Sequence, residues 1–265
     1  MRKPKPMRKP MPAPIKLLIL GGTAEAMALA RALAHDSRTT PLLSLAGRTK
    51  NPAAPPIPWR RGGFGGAEGL AAFLVEGGFD ALIDATHPFA ARISANAQAA
   101  STVAGIPLLA LRRPPWKKTP GAHWISVPDI AAAAQALGIT PRRVFLTIGR
   151  QDLVPFREAP WHHYLIRSVD PPDPAFLPPD CAVIAARGPF SRASECELLA
   201  AHKIDLLVTK NSGGVMREKL DAAHALGIPV VMVDRPAPSA AVATADGIAG
   251  VMAWLDRLHG AMRGV

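Results

Sequence analysis

Ile15-Lys16-Leu17-Leu18-Ile19-Leu20-Gly21-Gly22-Thr23-Ala24-Glu25-Ala26 is the stretch on which the fold turns. Its apolar run is continuous rather than alternating, so it reads as a strand buried on both faces. Two glycines and then alanine-rich sequence make the next step a tight turn into a helix. The same rhythm recurs downstream. Strands are expected at Pro41–Ala46, Ala81–Asp84 and Pro107–Leu111, with helices at Ala24–Ala34, Glu68–Glu76 and Arg92–Ala104. Buried strands joined by helical crossovers make a doubly wound parallel α/β sheet. Arg112–Pro120 (RRPPWKKTP) breaks the rhythm and reads as a linker. A second series follows it. Strands are expected at Arg143–Ile148, His163–Val169, Ala182–Ala186, Leu206–Thr209 and Pro229–Val233, and helices at Asp129–Leu137, Ser194–His202, Val215–Leu226 and Asp246–Leu258, while the strand-like His123–Val127 before them fits either side of the linker. The expected organisation is a basic, proline-rich leader at residues 1–14, a nucleotide-binding α/β domain at 15–120 and a second α/β domain at 121–265. The active site is expected in the cleft between the two domains.

Composition agrees with a folded α/β protein. The chain has 265 residues, 49% of them hydrophobic and 19% charged, which supports a sizeable core and excludes global disorder. No apolar run is long enough for a membrane span. The formal net charge is +11, of which Arg2, Lys3, Lys5, Arg8 and Lys9 supply five; +6 remains for the rest. The leader lacks the apolar core of a secretory signal and reads as disordered or as an over-long start. Cys181 and Cys196 have no metal-ligand or redox spacing, so they read as reduced thiols of a cytoplasmic protein. No metal, flavin or haem signature is present.

Gly21, Gly22, Thr23, Ala24 and Glu25 form the candidate cofactor turn. Glycines let a ligand approach the backbone, and the amides and dipole at a helix start receive a phosphate. Thr23 also suits an ordinary helix N-cap. Glu25 suits the helix dipole but repels a phosphate, so it must point away or take a protein amide. The turn is not GxGxxG, and no Lys-Ser/Thr follows to make a P-loop. After the second strand, NAD-preferring folds place an acid for the ribose 2′-hydroxyl. This chain has Ala46-Gly47-Arg48-Thr49-Lys50 there. Arg48, with Lys50 as helper, is matched to a 2′-phosphate, favouring NADPH over NADH.

An ordered set of motifs follows: Gly62-Gly63-Phe64-Gly65-Gly66, Asp84-Ala85-Thr86-His87-Pro88-Phe89-Ala90, Thr147-Ile148-Gly149-Arg150-Gln151, Arg167-Ser168-Val169, Ala186-Arg187-Gly188-Pro189-Phe190, Thr209-Lys210-Asn211-Ser212-Gly213-Gly214 and Val233-Asp234-Arg235-Pro236. Together with the first glycine turn, this set resembles the precorrin-6A reductase family of cobalamin biosynthesis, over Ile15 to Pro236. The resemblance implies two Rossmann-like domains and NADPH-dependent reduction of a ring carbon–carbon double bond of precorrin-6A to precorrin-6B. A cobalt-precorrin-6A reductase using NADH is the neighbouring reading. Transfer of the macrocycle to other enzymes of that pathway is the partner expectation, and the sequence leaves the oligomeric state open.

A polycarboxylate macrocycle requires cations at strand ends and loops. Arg92, Arg113, Arg150, Arg167, Arg187 and Lys210 are placed to supply them, with Asn211, Ser212, Gly213 and Gly214 adding small polar groups and backbone amides. His87 is expected to line the site and is the leading side-chain candidate to deliver a proton. A backbone or carboxylate partner for its imidazole, with water carrying the proton, is the competing role. Thr86 is assigned to the nicotinamide amide or a substrate carboxylate, with strand-end capping as its alternative, and Asp84 to orienting loop amides. A short-chain dehydrogenase fits poorly: Tyr164 is the only tyrosine, and Ser168 stands where the lysine is needed. A non-catalytic NADPH- or anion-binding regulator is the alternative from a different class. Nucleic-acid binding has no motif and little aromatic support.

Overall fold

A computed structural model describes residues 13–47, 54–237 and 239–262. Arg48 and Lys50, and the leader up to residue 12, lie outside them. The first half runs β1 (Ile15–Leu20), α1 (Ala24–Leu33), β2 (Thr39–Leu45), β3 (Trp59–Arg61), α2 (Ala67–Glu76), β4 (Ala81–Asp84), α3 (Ala91–Ala104) and β5 (Leu108–Leu111). The second runs β6 (Trp124–Val127), α4 (Ile130–Gln135), β7 (Arg143–Thr147), β8 (His163–Ser168), β9 (Cys181–Ala185), α5 (Arg192–Ala201), β10 (Leu206–Lys210), α6 (Glu218–Ala225), β11 (Val230–Val233), β12 (Ala243–Ala245) and α7 (Ile248–Met262).

Two six-stranded sheets result, ordered β12-β5-β4-β1-β2-β3 and β6-β11-β10-β7-β8-β9, with parallel pairing throughout. This is the Rossmann strand order twice, with switch points between β1 and β4 and between β7 and β10. The continuous apolar pattern of β1 has a direct cause. Ile15, Leu17 and Ile19 face α1 and α7, whereas Leu18 and Leu20 face the cluster that α2 and α3 complete. In the second sheet Phe145, Leu165, Leu207 and Met232 pack against α5 and α6.

The expected domain boundary at residue 120 requires correction. The chain divides into one unit holding residues up to 112 and from 239 onward, and another holding 113–238. The sixth strand of the first sheet is β12, pairing Ala243–Ala245 with Leu109–Leu111. The strand that directly follows β5 in sequence, β6, instead pairs with β11 of the second sheet. The sixth strand of the first sheet therefore comes from beyond the other unit's sequence, whereas that of the second sheet is the first strand of its own unit. α7 follows β12 because Ile248, Val251, Met252, Leu255 and Leu258 form a helical apolar stripe, which joins the core beneath α1. Beyond the expected elements stand two strands of three residues, β3 and β12. Neither is long enough to carry a periodic signal.

Candidate functional site

The first switch point lies where β1 and β4 end. Gly22 has φ +113° and is exposed, with nothing within 4 Å of where a Cβ would stand, so backbone conformation demands glycine there. Gly21 is glycine for another reason: a Cβ would sit 2.6 Å from Leu43 Cδ1 on β2. Thr23 caps α1, accepting from the Ala26 amide at 3.1 Å and donating to the Ala85 carbonyl at 2.8 Å. One hydroxyl thus ties the glycine turn to the end of β4. Ala24 and Glu25 form the first turn of α1. An open glycine turn beside a capped helix start, at a switch point, fits the phosphates of a dinucleotide.

β4 ends in a polar hub. Asp84 is 2% exposed and accepts from the Thr86 amide at 3.0 Å, the Thr86 hydroxyl at 2.6 Å, the Ser94 hydroxyl at 2.6 Å and the Arg112 guanidinium. Burial opposes its charge, yet Arg112, Ser94 and Thr86 hold the carboxyl below the usual carboxylate range. The expectation for Asp84 as an organiser of loop amides matches this geometry. Thr86 donates its hydroxyl to Asp84, which fits the alternative role of capping the strand end and leaves its oxygen able to accept. His87, partly buried, accepts at Nδ1 from the Phe89 amide at 3.3 Å and packs against the Phe89 ring. In the neutral imidazole this places the proton on Nε2.

At the end of β2 the described chain reaches Gly47, and Arg48 lies beyond it. β3, invisible in the sequence pattern, brings Arg60 and Arg61 to the same place. Arg60 donates to Ser44 Oγ at 3.0 Å and to the Gly62 and Gly63 carbonyls, with its guanidinium 4.1 Å from the Phe64 ring centroid. Arg61 donates to the Gly47 carbonyl at 3.4 Å. Their only sequence signal was the basic pair in WRRGG.

The second switch point gathers other expected residues. Lys210, closing β10, pairs with Asp152 at 2.6 Å, joining the two strand ends that flank the switch. Asn211 grips the Trp116 backbone from both sides, accepting from its amide at 2.8 Å and donating to its carbonyl at 3.2 Å. Arg113 donates to the Ser212 carbonyl, and Arg235 to the carbonyls of Asn211, Ser212, Arg113 and Pro114. Gly213, at φ +65°, lies so close that a Cβ would fall 2.0 Å from the Pro114 carbonyl. Asn211 and Gly213 thus both help to build the loop. Arg150 follows β7 and donates to the Pro171 carbonyl, whereas Arg92 and Arg187 are exposed on α3 and after β9. Arg167 is committed elsewhere, forming a two-point pair with Glu195 in which the side chains are 9% and 2% exposed. Among the described residues no group of His, Cys, Asp and Glu is placed to hold a metal, and no helix is long and apolar enough to cross a membrane.

The family model for precorrin-6x reductase CbiJ/CobK matches residues 16–256. The chain belongs to this family. A precorrin-6A reductase of Rhodococcus erythropolis is 50% identical over 244 residues, covering 92% of this chain and 98% of the relative. One from Rhodobacter capsulatus is 50% identical over 252 residues, covering 94% and 99%. A cobalt-precorrin-6A reductase of Priestia megaterium is 30% identical over 187 residues, covering 64% and 70%. The solved structure of a CobK precorrin-6A reductase superimposes with a TM-score of 0.87 at 48% identity, covering 93% of this chain and 97% of that one. The residues matched by the family model, 16–256, thus extend across both sheets and include β12.

Proposed function

We propose that this chain reduces a ring carbon–carbon double bond of precorrin-6A to give precorrin-6B in cobalamin biosynthesis, with NADPH as reductant. The observation that carries the reading is the end-to-end similarity to precorrin-6A reductases, about half the residues being identical. Lower identity over a shorter share of the cobalt-precorrin relative favours the cobalt-free substrate. The open glycine turn at the first switch point supports a dinucleotide. The end of β2 supports NADPH, because the sequence from Gly47 through Ala54 contains no acid while Arg48, Lys50, Arg60 and Arg61 converge on it in sequence or space.

When bound, the nicotinamide supplies the hydride. The chain's own residues do the rest. Gly22 and the first-turn amides of α1 hold the pyrophosphate. Arg48, assisted by Lys50 and by Arg60 and Arg61, takes the 2′-phosphate. Arg92, Arg150 and Arg187 receive substrate carboxylates, while the Asp152 carboxylate fixes the Lys210 ammonium in place. His87 holds a proton at Nε2, its Nδ1 being engaged by Phe89.

Anaerobic mixing of the full chain with NADPH and precorrin-6A tests the reading. Nicotinamide absorbance should fall while the macrocycle spectrum shifts, and stasis in both overturns it. In the same assay Arg48→Ala should weaken NADPH by about tenfold or more and leave NADH almost untouched. Equal loss for both nucleotides removes Arg48 from the 2′-phosphate.

A further inference from the structure

The cations around the second switch point differ in how far the protein itself satisfies them. Arg167 is bonded to Glu195, Lys210 to Asp152, Arg113 to the Ser212 carbonyl and Arg235 to four carbonyls. Lys219 is the exception. It stands in the first turn of α6, just beyond the Lys210–Gly214 loop, and is partly buried. Its ammonium lies 5.1 Å from the centroid of the Trp116 ring, and among the described residues it makes no hydrogen bond or ion pair. Trp116 is itself held by that loop, through Asn211 and through its indole N–H to the Gly214 carbonyl at 2.8 Å. The charged groups facing Lys219 are Arg167 on β8, Arg113 after β5, Glu195 on α5 and Glu218 on α6. Glu195 is already paired at both oxygens with Arg167.

A partly desolvated ammonium with no acceptor is costly, and a fold keeps one where an external anion completes it. Its position, at the carboxyl end of a parallel sheet beside the switch point, is where ligands of such sheets bind. We propose that Lys219 binds a carboxylate of the tetrapyrrole substrate, with the Trp116 face as its platform. This rests on the reading of the substrate given above. Burial, reinforced by Arg167, pushes the amine down to about 8, so it is charged below that pH and loses its charge above it.

Initial rates with precorrin-6A at saturating NADPH, for the full chain at pH 7 and pH 9, test the assignment. Lys219→Met should raise KM about tenfold at pH 7 while kcat changes little. The wild-type KM should climb between pH 7 and pH 9, and Lys219→Arg, which stays charged, should abolish that climb. NADPH affinity, measured separately, should be the same in all three proteins. A wild-type KM in Lys219→Met, or an undiminished climb in Lys219→Arg, overturns the proposal. Should Lys219→Met not fold, the pH profile of Lys219→Arg alone decides. Wild-type protein that turns over precorrin-6A with indifferent Lys219 variants refutes this assignment alone. Wild-type protein without turnover refutes the substrate reading and this assignment together.

Discussion

Replacing Lys219 by Met should stabilise the unliganded protein, because the charged amine is held in a place that disfavours charge. Lysine titrates near 10.5 in water and at about 8 in this fold. At about 1.4 kcal/mol per pH unit, the ammonium is penalised by on the order of 3 kcal/mol relative to the unfolded chain. The gain expected for Lys219→Met at pH 7 is therefore about 2–3 kcal/mol. The sign of its pH dependence follows from the lowered amine. Between about 8 and 10.5 the unfolded chain binds a proton that the folded chain has released, so wild-type stability from this group rises with pH. The advantage of the variant is full below about 8 and fades as pH approaches 10.5. Urea unfolding of both proteins at pH 7, 8, 9 and 10 measures the difference, and the other titrating groups cancel in the subtraction. A variant less stable than wild type at pH 7, or a gap that does not narrow toward pH 10, refutes the claim that this ammonium is unsatisfied in the fold.

Thr23→Val keeps the shape of the side chain but deletes both of its hydrogen bonds, to Ala26 and Ala85. It should cost about 1–2 kcal/mol of stability in denaturant unfolding and weaken nicotinamide nucleotide binding in a fluorescence titration; intact nucleotide affinity would separate the cap from the cofactor turn. Glu195→Gln leaves the buried Arg167 without its counter-charge and should cost about 3–5 kcal/mol in the same unfolding assay. A loss below about 1 kcal/mol would mean that the flanking Phe145 and Phe190 rings suffice to hold the guanidinium.

Local sequence was enough for the doubly wound class. Apart from Lys16 near the start of β1 and Asp84 at the end of β4, these strands are apolar because both faces are covered, and no solvated face leaves a polar alternation to read. The glycine turn was equally plain, since φ +113° at Gly22 admits little else. Site roles were harder to read. Arg167 and Arg150 are both sequence arginines at strand ends, yet only the fold reveals that Glu195, 28 residues away, has already claimed the first. Asn211 and Gly213 looked like ligand contacts from a small polar loop; the Trp116 clamp and the Pro114 carbonyl show what else their chemistry is needed for. Lys219 gave no signal at all, because a lysine in the first turn of a helix is ordinarily a solvated one.

By itself, then, the sequence determined the two parallel sheets, the glycine turn into α1 and the family, all of which depend on residues close together in the chain. Tertiary structure alone decided where each unit ends and which acids and carbonyls its cations meet. Ala243-Thr244-Ala245 carries no pattern that marks it as a strand, and it becomes one only because β5 presents an open edge with which it can pair. The charge of a basic side chain is written in the sequence. Whether that charge is already neutralised depends on partners such as Asp152, 58 residues from Lys210, brought near only by folding.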